Sequence, residues 1–215
     1  MSVLLENYLP TLAAALWVTL RITGISFGVG LALGTILAVF RISPIRPLRI
    51  AGAVYVEIFR NVPLVALVVL VVYGLPEIGL NPDFLPGVII ATTAVAAAFA
   101  CETLRTGINA VDRGQVEAAR SIGLPFSGIM RHVVVPQAAR SVVGPSVTLF
   151  IGILLSSSMA AVVGQPDLTY TASLINSREA LGLVTFGVVA AIYALISLIA
   201  AGVGAVIEKR VQVLR

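Results

Sequence analysis

The sequence predicts an all-α protein built into a membrane. Mean hydropathy is +1.05. Only 11% of the 215 residues are charged, where a soluble domain carries about a quarter. The apolar residues also gather into runs of roughly 20, the length a helix needs to cross a bilayer core of about 30 Å. A water-soluble fold would leave so apolar a chain covered in large greasy patches, so a soluble single-domain enzyme is excluded. The whole chain, residues 1–215, reads as one transmembrane domain.

The opening MSVLLENYLP lacks a basic leader region and carries the acidic Glu6, so the first apolar segment is expected to be a retained span. Five spans are predicted: Thr11–Phe40, Leu48–Tyr73, Pro86–Leu104, Ala139–Val163 and Ala180–Ile207. In the first, Gly24-xxx-Gly28 and Gly30-xxx-Gly34 are small-residue spacings that let helices approach closely, either within one subunit or at a dimer seam. Between the second and third, Gly74–Gly87 is broken by proline and glycine and reads as a surface connection with room for a small interfacial turn.

Charge sets the expected orientation. Arg41, Arg46, Arg49, Arg105, Arg113, Arg120, Arg131, Arg140, Lys209, Arg210 and Arg215 make eleven of the fourteen basic residues, and all fall on one side of the five spans. The other side has Arg178 alone, among Glu6, Glu77, Asp83, Asp167 and Glu179. Positive loops stay inside, so the N-terminus is expected outside and the C-terminus in the cytoplasm. Five spans satisfy the odd parity this demands. The net charge of +4 therefore reports topology, and a nucleic-acid partner has no support.

Several chemistries are excluded. One cysteine, Cys101, and one histidine, His132, cannot assemble a zinc, haem or iron–sulfur ligand set, and no metal site is expected. The single lysine, Lys209, follows no glycine-rich turn, so the chain has no P-loop and binds no cofactor of its own. His132 has no acid at a recognisable spacing, and no catalytic residue is assigned.

The stretch QVEAARSIGLPFSGIMRHVVVPQ, Gln115–Gln137, is too polar to span and lies on the expected cytoplasmic side. Val116–Ile122 can form two helical turns, with Glu117 suited to the N-terminal dipole. Gly123 ends that helix, Pro125 opens a second short one, and this reaches about His132. Ala118, Ala119 and Gly123 leave the elbow small and smooth, with Phe126, Ile129 and Met130 beside it for apolar contact. Such an elbow either docks into a partner's groove or packs as an ordinary loop.

The residues of this elbow also carry a resemblance. Glu117-Ala118-Ala119, three residues, Gly123, nine residues, then Val133-x-Val135-Pro136 resembles the EAA signature of binding-protein-dependent ABC importer permeases. The family pattern closes in Ile-x-Leu-Pro, and this chain has valine at both apolar positions. EIFRNVPL (Glu57–Leu64) resembles the second-span motif of polar amino-acid permeases, and CETLRTGINAVDRGQVEAARSIGL is similar to the histidine/glutamine/glutamate group. The resemblance implies a type I importer permease with a five-span core. Residues 113–136, with Glu117, Ala118, Ala119, Gly123, Pro125 and Pro136, would be the coupling helix seated in a cytoplasmic ATPase. It further implies a second permease subunit, two cytoplasmic subunits that bind ATP and Mg, an external solute-binding protein, an amino-acid substrate, and residence among lipids of the bacterial cytoplasmic membrane. A passive channel or a scaffold needs no such lever.

Charged groups within a membrane are functional suspects. Glu57 and Arg60 share a helical face at i,i+3 in the second span. Counting about 1.5 Å per residue puts Arg60 and Asn61 near mid-depth, where Pro63 breaks the helix. Arg60 pairs either with a substrate carboxylate or with Glu57. Arg21 in the first span either snorkels or pairs with Glu57. In the fourth span, Ser156, Ser157 and Ser158 occupy the place where similar permeases read Leu-Lys-Asp/Asn-Thr-Ser/Thr, with Leu155 for the lysine. The serines line the substrate path or act as packing glue.

Overall fold

The computed structural model describes residues 7–211, so Glu6 and Arg215, used above to set orientation, lie outside the described residues. Within that range every regular element is helical. The first span is α1, Leu9–Ile42, about 51 Å long at 1.5 Å per residue and so tilted or projecting from the bilayer. The second span is split into α2, Arg46–Asn61, and α3, Leu64–Val69 with its continuation to Ile78, which meet at a bend of 102°. Pro63 has no N–H to continue the α2 ladder and forces Val62 out of helical geometry, with φ −87° and ψ 129°. A straight-helix depth count therefore does not apply. The bend lies at mid-length of the third span, α4 (Phe84–Asn109): Tyr55 donates to the Ala94 carbonyl at 3.0 Å, and Val62 packs against the buried cluster that includes Val88 and Ala91.

The elbow is α5, Arg113–Ser121, followed by α6, Phe126–Ile129. The second elbow helix does not stop near His132 as expected. It runs through a π-helical turn, Met130–Val134, into α7, Val135–Ser141, and then α8, Val143–Ser156. The wider turn lets Pro136 follow without its ring striking the carbonyl one turn back. Pro76 shows the same device, standing two residues past the π-helical turn Leu70–Gly74.

The fourth span tightens to a 3-10 segment over Ser157–Val163 and ends at Gly164, φ +80°. Ser157 and Ser158 donate to the carbonyls three residues back, Leu154 and Leu155, each at 2.7 Å. Such back-bonding competes with the α-ladder. Leu168–Glu179 then forms α9, which the sequence reading did not foresee, and Gly182–Val211 forms α10, the last span. Among the described residues four helices are long and apolar enough to cross a membrane, or five with the bent pair counted as one.

The core is built on α1 against α4. A Cβ on Gly30 would stand 2.7 Å from Ala96 Cβ, and one on Gly34 would stand 2.5 Å from Ala100 Cβ and 2.8 Å from the Ala97 carbonyl. This pair serves packing within the subunit. Gly24 and Gly28 have open space beside them.

Candidate functional site

Two features stand out, a cavity beside the bend and the elbow near the end of α4. The cavity, of about 920 Å³, lies between the bend, α4 and α8, within the range of small-molecule sites. Arg60, Thr92, Phe99, Thr148 and Ser156 line it, and Arg60 is the one charged group among the described lining residues. Pro63 and the bend place Arg60 here. As the last turn of α2 closes, its guanidinium carbon lies 5.5 Å from the centre of the Phe99 ring, within cation–π reach.

Arg60 does not pair with Glu57. Its carboxylate partner is Glu102 on α4, with Nη1 at 3.9 Å from Oε2. Glu102 Oε1 also takes Arg105 Nη1 at 2.9 Å and lies 3.2 Å from Arg41 Nη1. The Arg41 nitrogen is buried and makes no directed hydrogen bond. Three guanidiniums thus face one carboxylate at the basic end of spans one to three. Sequence reasoning missed Glu102, although an acid inside the predicted third span satisfied the rule that singled out Glu57.

Glu57 is exposed and accepts from Asn61 Nδ2 at 3.4 Å, while Asn61 Nδ2 donates to the Glu57 carbonyl at 2.7 Å. That bond turns Asn61 back on α2, and neither residue lines the cavity. Arg21 is exposed, and no ion pair to Glu57 or to any other acid forms among the described residues. Of the three serines only Ser156 reaches the cavity. Ser157 is buried, and Ser158 faces a separate groove between α8 and α10.

The elbow is locally determined. Asp112 caps α5 by accepting from the Gly114 N–H at 2.6 Å. At the other end Gly123 takes φ +84°, its N–H donates to the Arg120 carbonyl at 3.0 Å, and the Leu124 N–H donates to the Ala119 carbonyl at 3.2 Å. This is a Schellman close, which requires the left-handed residue that glycine supplies. Leu124 and Ala119 pack together under Ile129 and Val134. Ala119 and Ile129 therefore face inward rather than offering the contact surface expected. The outward face holds Glu117 and Ala118, with Ile122 78% and Phe126 72% exposed beside the turn. Pro125 caps α6, and Gln137, next to Pro136, donates its side-chain amide to Gln115 across the elbow.

The elbow is tied to α4 at Gly107. A Cβ there would stand 2.2 Å from Val142 Cγ1 and 3.1 Å from the Ala138 carbonyl, and the Ser141 hydroxyl is 3.4 Å from the Gly107 carbonyl. Glu102 is little more than one turn further along the same helix.

A third polar group, Asp167, lies outside the spans and is fully buried. It caps α9 by accepting from the Tyr170 N–H at 2.8 Å, and Tyr193 of α10 lies 3.4 Å from its other oxygen. Burial pushes its carboxyl up to about 6, against those hydrogen bonds, which act to lower it. No His, Cys, Asp or Glu cluster that could hold a metal occurs among the described residues.

The family described as "Binding-protein-dependent transport system inner membrane component" matches residues 30–213. The chain is 35% identical over 214 residues to the probable glutamine ABC transporter permease protein GlnM of Bacillus subtilis, covering 98% of this chain and 97% of that one. It is 34% identical to the glutamate transport system permease protein GluC of Corynebacterium efficiens, covering 97% and 98%. Among solved structures, an amino acid ABC transporter crystallised with histidines matches with a TM-score of 0.91 at 31% identity, covering 96% of each chain.

Proposed function

The chain belongs to the binding-protein-dependent transport system inner membrane component family, and from that membership we propose that it forms the path by which a polar amino acid is imported across the bacterial cytoplasmic membrane. It is a multi-pass permease subunit, not an enzyme. In this reading it pairs with a second permease, identical or homologous. Two cytoplasmic subunits bind ATP and Mg, and an external solute-binding protein delivers the substrate. The basic end of the bundle faces the cytoplasm.

The observation that carries the reading is the cavity with the Arg60 guanidinium in its wall, joined through α4 to an elbow closed at Gly123. The elbow supplies the lever. Its outward face of Ala118, Ile122 and Phe126 gives an ATPase cleft something apolar to grip, and the Gly107 contact passes a push on the elbow into α4. The cavity supplies a guanidinium for a carboxylate, beside the hydroxyls of Thr92, Thr148 and Ser156.

Glutamate or a related acidic amino acid is the substrate that overall resemblance puts first. A second reading has a specific support. Arg60 is the only charge lining the cavity among the described residues, enough for one carboxylate but not two, which favours a neutral polar amino acid such as glutamine. Reconstitution of the permease with its ATPase and binding protein, and uptake of each of the twenty amino acids, tests both. ATP-dependent uptake of none of them overturns the transport reading, and uptake of glutamine in preference to glutamate selects the second.

A further inference from the structure

The charge balance around the cavity leaves a question that amino-acid transport alone does not answer. Arg60 is needed free to meet a substrate, yet it already faces Glu102. The three contacts of Glu102 are unequal. Arg105 and Arg41 share Oε1, at 2.9 and 3.2 Å, and their side chains are 28% and 15% exposed. Arg60 alone faces Oε2, at 3.9 Å, and its side chain is the most open of the three at 39%. It is also the only one of the three that lines the cavity.

We propose that Glu102 is an internal stand-in for the substrate's carboxylate. With the cavity empty, Oε2 holds Arg60. When an amino acid arrives, the guanidinium turns on the Phe99 face and passes to the incoming carboxylate. Glu102 is not stranded by the exchange, because Arg41 and Arg105 keep it compensated through Oε1. The exchange is favourable in direction. A long, one-point contact is replaced by the bidentate pairing that a guanidinium and a free carboxylate form best, and a second carboxylate joins a cluster of three cations and one anion. Glu102 is thus a positioning residue. It keeps Arg60 extended toward the cavity while no substrate is there, and it sets the affinity by competing for Arg60. The inference rests on the transport reading above.

The test uses the purified permease–ATPase complex and equilibrium dialysis with the twenty common amino acids, each tried singly. Glu102→Asp shortens the carboxylate by one methylene. The Arg60 contact, already 3.9 Å, is the first to be lost, and the 2.9 Å contact with Arg105 has the most room to stretch; the variant also guards against misfolding of the second one, Glu102→Gln. The amino acid that binds wild type is expected to bind Glu102→Asp about two- to fivefold more tightly, the range that corresponds to releasing an exposed ion pair. Arg60→Gln should lose binding by tenfold or more, and the decarboxylated analogue of the same amino acid should not respond to either Glu102 variant. A merely structural Glu102 could only weaken binding or leave it unchanged, so either result in Glu102→Asp overturns the proposal while transport stands. Absence of binding of every amino acid to wild type would overturn both.

Discussion

Replacing Gly107 by alanine tests whether the elbow drives the spans through α4. The added methyl would stand 2.2 Å from Val142 Cγ1, 3.0 Å from Ser141 Oγ and 3.1 Å from the Ala138 carbonyl oxygen. The valine must be pushed aside, and because the carbonyl belongs to the α7 backbone, α7 must also give by a few tenths of an ångström. Overpacking of this kind costs about 1–3 kcal/mol, and the better helix propensity of alanine returns about 1 kcal/mol. The net loss, about 0–2 kcal/mol, is small enough for the protein to insert and assemble. Coupling should suffer more than stability, because the contact that moves is the one between elbow and span. In proteoliposomes with ATPase and loaded binding protein, Gly107→Ala should lower transport per ATP hydrolysed, while the melting temperature in detergent changes little. Gly107→Ala with Val142→Ala removes the closest clash and should restore part of the coupling. Unchanged transport per ATP in the single variant, or no recovery in the double one, would refute transmission through this contact.

Three further outcomes are expected. Glu117→Lys and Gly123→Pro should each abolish stimulation of the ATPase by loaded binding protein while leaving insertion intact, the first by reversing charge on the exposed face of α5 and the second because proline cannot adopt the φ of +84° that closes it; unchanged stimulation in both would sink the lever assignment. In a Cys101→Ser background, an impermeant thiol reagent added to intact cells should label a cysteine placed at Ile78 but not one at Ile122, positions 72% and 78% exposed at opposite ends of the bundle; the reverse pattern would invert the topology. Asp167 holds its proton in the folded state up to about pH 6, against 3.8 ordinarily. Its contribution is therefore full below about pH 4 and is lost as pH rises to about 6, by about 3 kcal/mol at the limit. Asp167→Asn keeps the cap acceptor and should flatten that slope in detergent melts between pH 4 and 7, and an unaltered slope would show that another group titrates.

The amino-acid sequence by itself determined whatever depends on neighbours along the chain. Runs of apolar residues fix which segments enter the bilayer, because the bilayer prices each residue separately. Gly123 fixes the C-terminal end of α5, because a left-handed close is an event within a few residues; the N-cap Asp112 is as local, yet it starts the helix at Arg113, three residues before the expected Val116. Pro63 marked the break in the second span for the same reason, although it did not give the 102° between the two halves. What no local rule could supply is which charge meets which. Glu57 and Arg60 share a helical face, yet the guanidinium turns to Glu102, forty-two residues away, because the bend swings the end of α2 against α4. Ser156, Ser157 and Ser158 are alike in sequence, yet one lines the cavity, one is buried and one faces the groove between α8 and α10, because the bundle sets a different neighbour in each direction that successive helical residues point. The elbow's second helix ran on past His132 because a π-helical turn absorbed Pro136, and its continuation could settle on α4 only because Gly107 left room there. Such pairings are decided by packing across the bundle, where helices far apart in the chain come within side-chain reach, and that proximity exists only in the folded protein.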